Sequence, residues 1–128
     1  MVARHVGLRR LLKLADHLDT VPPETFDMST WWCGTRGCAM GHAAQMPAFR
    51  RLGLRLEASV SFDEEVTVGV VLEDEQDYGA AAVLFGLTRG EAKDLFCPST
   101  YGAAADPRTP ADVAGEIRAF VARARGER

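Results

Sequence analysis

The stretch Trp31-Trp32-Cys33-Gly34-Thr35-Arg36-Gly37-Cys38-Ala39-Met40-Gly41-His42 gathers two of the three cysteines, one of the three histidines and both tryptophans. Its pattern is Cys-x4-Cys-x3-His. On a helix, Cys38 and His42 project from the same face, four residues apart, and Cys33 just before that helix could fold back over its first turn. Thiolate sulfur and imidazole nitrogen are the ligands zinc takes in proteins, so Cys33, Cys38 and His42 form a candidate metal site. Cys97, His17 or Asp27 could supply a fourth ligand, or the fourth position could stay open and hold a reactive water. The spacing matches no common finger or knuckle, and no Cys-x2-Cys pair accompanies it.

Thiol catalysis is a second chemistry, since a helix N-terminus lowers a thiol's pKa and either Cys33 or Cys38 could lie at one. Cys33-Gly34-Thr35 has a superficial likeness to a papain-like cysteine loop. Those enzymes take their base from a histidine far downstream, and no histidine follows His42 in this chain. His5 or His17 would have to swing in from the first helix, or His42 serve from one turn away. A Cys33–Cys38 disulfide is sterically conceivable, but a reducing cytosol opposes it. In the simplest reading the cysteines are small buried hydrophobes and His42 is a hydrogen-bonded partner in a closely packed helix.

The elements that must position these residues can be read from periodicity. Leu8, Leu11, Leu12, Ala15 and Leu18 recur at helical spacing, predicting an amphipathic helix that Val21-Pro22-Pro23 stops. His5 and His17 both lie on it, roughly 18 Å apart at the helical rise, too far to share a ligand while the helix is straight. Phe26, Met28, Trp31 and Trp32 offer apolar surface that would pin the following loop to the core. A second helix is expected from about Arg36 to Met46, capped by Thr35 and ended at Pro47. Its small residues, Gly37, Ala39, Gly41, Ala43 and Ala44, imply close backbone approach.

Strict alternation then marks a strand, with Leu54, Leu56, Ala58, Val60 and Phe62 against Arg55, Glu57, Ser59 and Ser61. Asp63-Glu64-Glu65 turns the chain, and Val66, Val68, Val70 and Leu72 return it. The apolar face of this antiparallel hairpin is expected to be covered by helices. Glu73, Asp74, Glu75 and Asp77 should open a third helix, where the helix dipole welcomes acid, with Tyr78, Ala81, Ala82 and Phe85 on one face. Thr88-Arg89-Gly90-Glu91 is a capping box for a short fourth helix that Cys97-Pro98 closes. Thr109-Pro110-Ala111-Asp112 starts the last helix, with Val113, Ile117, Phe120, Val121 and Ala124 as its stripe. The expectation is α+β, about five helices packed around one antiparallel β-hairpin, with residues 1–128 in a single globular domain.

Composition narrows the functions. At 128 residues the chain can bury roughly 65 to 70 per cent of its unfolded surface without a metal or disulfide staple. A net charge of −3 gives no footprint for nucleic acid or an anionic membrane. No run of about 18 apolar residues could span a bilayer, and the basic residues near the N-terminus interrupt any signal-peptide core, so the expected location is cytoplasmic. The acidic group around Asp63–Asp77 lacks the glycine and spacing of a calcium loop. No phosphate-cradling glycine loop, nucleophile elbow or paired glycosidase carboxylates are present.

Three motifs carry a resemblance: Pro22-Pro23-Glu24-x-Phe26-Asp27-Met28, Cys33-Gly34-Thr35-x-x-Cys38-Ala39-x-Gly41-His42-Ala43, and Phe85-Gly86-Leu87-Thr88-x-x-Glu91-Ala92-x-x-Leu95-Phe96. Through them, and on into Tyr101 and Thr109-Pro110, the chain resembles a family of small, functionally uncharacterised bacterial and phage proteins. The resemblance implies a shared fold and no known activity. With no complete catalytic set, the expected function is a non-enzymatic binding or protein-interaction domain with no cofactor; its partner is unknown, with protein the candidate class. The alternative is a thiolate-centred protein, zinc-binding or redox-active, built on Cys33, Cys38 and His42.

Overall fold

The computed structural model describes residues 2–26, 37–60, 62–64, 66–96 and 109–126. Among them the order is α1 (Arg4–Leu18), a 3-10 turn (Pro23–Thr25), α2 (Ala39–Ala43), α3 (Pro47–Arg50), β1 (Arg55–Val60), β2 (Val66–Leu72), β3 (Glu75–Gln76), α4 (Tyr78–Phe85), α5 (Arg89–Phe96) and α6 (Pro110–Ala124). The architecture is α+β, with helices gathered around a three-stranded antiparallel sheet of order β1-β2-β3.

α1 is the spine. Its apolar stripe, Leu8, Leu11, Leu14, Ala15 and Leu18, is buried against α6, α4 and α2. Where α1 crosses the end of α4 the backbones nearly touch. A methyl group on Gly7 would fall onto the Phe85 carbonyl and within 2.8 Å of the Gly86 nitrogen. That contact seats Phe85, whose ring centroid lies 5.8 Å from those of both Phe49 and Phe96, and these three rings fill the centre of the core. Polar contacts tie the same crossing from its edges: the Arg10 guanidinium donates to the Leu84 carbonyl at 2.8 Å, and Arg4 donates to the Gly86 carbonyl at 3.0 Å.

The capping chemistry read from the sequence is present. Thr88 and Glu91 exchange side-chain to backbone hydrogen bonds of 2.9 and 3.1 Å, and Thr109 with Asp112 forms the same box, with Pro110 at the first helical position. Gly86 ends α4 in the left-handed region at φ 63°, and the Leu87 amide reaches back to the Ala82 carbonyl at 2.9 Å, the bond pattern of a Schellman cap.

Three expectations need correction. The second helix is one turn rather than three: it begins at Ala39 because Gly37 is drawn into a bridge with Phe26, which holds Cys38 extended, and Pro47 opens a further helix as well as ending a segment. The acidic run from Glu73 does not start a helix. Glu73 and Asp74 make a tight turn, with Glu73 at φ 56°, and Glu75–Gln76 add a third strand to the predicted hairpin. Among the described residues the cover on the apolar face of the hairpin lies at its base, where α4 packs along β2 and β3. Exposure rises along the strands from 1% at Leu54 to 67% at Val60 and 61% at Val66.

Two outcomes follow. Gly7→Ala should lower stability by more than about 2 kcal/mol in urea unfolding, since the added methyl meets backbone that cannot yield cheaply; a loss below about 0.5 kcal/mol would show that the helices do not cross so closely. The bidentate contact of Arg4 with Glu91, both bonds 2.7 Å, holds the Glu91 carboxyl down at about 2. A carboxylate depressed in the folded state contributes stability above its ordinary value near 4.3, and that contribution is lost as pH falls toward the depressed value. Thermal unfolding of Arg4→Gln should therefore decline less steeply than wild type between about pH 5 and 2; parallel curves would contradict it.

Candidate functional site

The candidate site is built at the point where the chain leaves Phe26 and returns at Gly37. These two residues form a parallel bridge, and the Gly37 amide donates to the Thr25 carbonyl at 3.1 Å. The His42 ring stacks on Phe26, with centroids 5.9 Å apart and planes 22° from parallel, and its Nε2–H donates to the same Thr25 carbonyl at 2.7 Å. Because a carbonyl can only accept, this bond fixes the tautomer with the proton on Nε2. His42 thus fastens the neck of the segment that carries Cys33.

His42 is 6% exposed, and burial, the first cause, pushes its pKa below the ordinary imidazole value. The Thr25 carbonyl opposes that shift, and the charge of His17, half-buried on the last turn of α1, adds to it. Cys38 is the residue before α2 and is 2% exposed. Burial pushes its thiol up to about 11, against backbone groups of Gly41, Met40 and Cys38 itself that pull it down; the charge of Asp77 raises it further. Thiolate chemistry needs the opposite shift.

Asp77 is a residue whose role the sequence reading did not see. It sits at φ 54° and ψ −115°, a conformation that strains any side chain bearing a Cβ. Two bonds to Val70 hold it there: its amide donates to the Val70 carbonyl at 2.8 Å, and its carboxylate accepts from the Val70 amide at 3.3 Å. The carboxylate lies over Gly69, where a methyl group would come within 2.6 Å of Oδ1, so a side chain there would displace the carboxylate. Desolvation raises the Asp77 pKa, against the bond from Val70. Only an acid ahead of a helix was legible; the strain that bends it over β2 has no sequence signature.

Of the predicted site residues, Cys38 and His42 are brought together in one short buried segment, with His17 in electrostatic reach and His5 exposed elsewhere on α1. Cys33, Cys97, Asp27 and the two tryptophans lie outside the described residues, and so do the expected cap at Thr35 and the pinning of that loop. Among the described residues no group of three His, Cys, Asp or Glu side chains could hold a metal ion. None of their helices is long and apolar enough to cross a membrane.

The second candidate is a surface. Val60 and Val66 are directly opposed at the far end of the hairpin, and Phe62, in the turn beyond them, is fully exposed. Leu52, before β1, is 47% exposed. The sequence showed Val60, Phe62 and Val66 as apolar positions of the hairpin; it could not show that they would be exposed. Comparison with protein-family models, curated proteins and solved structures finds no match for the chain.

Reduced native protein should leave Cys38 unmodified by a water-soluble maleimide at about pH 8, with labelling appearing only on unfolding, as peptide mass spectrometry would read. Prompt native labelling of Cys38 would contradict its burial.

Proposed function

We propose that the chain is a non-enzymatic interaction domain whose binding surface is the far end of the β1–β2 hairpin. The observation that carries this reading is the exposure of Val60, Phe62 and Val66, with Val60 and Val66 paired at one end of the hairpin. Single exposed apolar residues are ordinary, but three large ones at one end of a hairpin mark a surface that gains free energy when covered. The residues that first suggested chemistry support the same reading from the other side. Cys38 is protonated and buried, and His42 is neutral with its Nε2–H committed to Thr25. Both act as parts of the framework.

A Val60→Thr/Phe62→Ser/Val66→Thr variant tests the reading. It should unfold within about 0.5 kcal/mol of wild type, because none of the three side chains is in the core, yet lose the association that wild type shows, with itself or with another protein. Identical association of wild type and variant would contradict it. Small-molecule turnover abolished by Cys33→Ser would overturn the non-enzymatic part and favour the thiolate-centred alternative.

A further inference from the structure

Among the described residues β1 is the outer strand of the sheet: β2 occupies one side, and the order β1-β2-β3 leaves the other side open. An open strand presents a row of backbone donors and acceptors that another strand can pair with. β1 carries one of the devices that usually prevent this, charged side chains, but of both signs. It has no proline, is six residues long, and turns a partly exposed apolar row, Leu56, Ala58 and Val60, to one face. On the opposite face stand Arg55 and Glu57, both about half-exposed and in contact only loosely with each other, at 3.3 Å.

That pair selects a partner. We infer that the interaction surface accepts a second copy of this chain, β1 pairing antiparallel with β1 about a two-fold axis through Leu56. This rests on the interaction reading above and names its partner. Side chains directly opposite in an antiparallel pair share a face, so a two-fold axis can pass only through a residue position of β1. With the axis at Leu56, Arg55 of each copy faces Glu57 of the other, giving two symmetric ion pairs, and Leu56 faces its own mate. With the axis at Glu57, like charges would face each other. The charge pattern therefore favours one register over its neighbour.

In the Leu56 register the two sheets join into one of six strands. The antiparallel run carries the exposed Val60 of each copy toward the exposed Leu52 that precedes the other β1, so apolar side chains left outside each core meet across the axis. The ion pair within each copy exchanges for cross-strand pairs, so no charge is left without a counterpart. A foreign strand could use the same backbone edge, but nothing would require it to carry the complementary charges that a second copy brings by symmetry.

Sedimentation velocity of the full chain and its charge variants tests this. Wild type should form a reversible dimer in the micromolar range. Glu57→Arg and Arg55→Glu each place like charges opposite one another twice and should weaken dimerisation at least about tenfold, whereas Arg55→Glu/Glu57→Arg restores opposite charges and should return it to within about threefold of wild type. Far-UV circular dichroism confirms that each variant is folded. A monomeric wild type, single variants that dimerise like wild type, or a double variant without recovery would each overturn the inference. If wild type is monomeric but binds a different protein through Val60, Phe62 and Val66, the dimer falls and the interaction reading stands. If it neither dimerises nor binds through those residues, both fall.

Discussion

The closeness of Gly7 to the Phe85 carbonyl is the constraint on which the rest of the structure depends. It allows α1 to lie against the end of α4 with no side chain between them, and so fixes Phe85 between Phe49 and Phe96. Both ends of α1 are then anchored by charge. Arg4 reaches the Gly86 carbonyl, pairs with Glu91 and lies 5.4 Å over the Phe120 ring, while Arg118 of α6 grips Asp19 and Asp16 at 2.6 and 2.9 Å. These pairs are partly exposed and individually weak; they orient the helices more than they stabilise them. With α4 placed, it packs along β2 and β3, and among the described residues β1 is the outer strand.

The long helices were legible because burial repeats every three to four residues and the caps announce themselves: Thr109, Pro110 and Asp112 mark one start, Thr88 and Glu91 another. The alternation from Leu54 to Leu72 likewise specified the hairpin, with Leu56 opposite Val70 and Val60 opposite Val66. What escaped the sequence depends on three-dimensional company. Gly7 looks like any weak helix former until another backbone arrives beside it. Glu73 and Asp77 take positive φ without the glycine or asparagine that would advertise a turn, because the pairing of β2 with β3 holds them there. The exposure of Val60 and Val66 was hidden for a related reason: alternation tells which face is apolar, never how far the covering layer extends.

The chemical stretch shows the same limit. Cys-x4-Cys-x3-His suggested ligands, but residue type does not carry protonation state. In place, burial keeps the Cys38 thiol protonated and His42 neutral, and the imidazole bond to Thr25 closes the neck between Phe26 and Gly37. Strain at Asp77 is balanced by its two bonds to Val70, with its carboxylate lying over Gly69. Cys38 and His42 are buried in the framework, and the exposed Val60, Phe62 and Val66 lie at the far end of the hairpin.

The most direct measurement of that division between framework and surface is native-state amide hydrogen exchange as a function of protein concentration. The account predicts that amides of residues 55–60 gain protection as concentration rises, while those of α1 and α4 are protected throughout and unchanged. Protection of β1 that is independent of concentration in the presence of no other protein would contradict it.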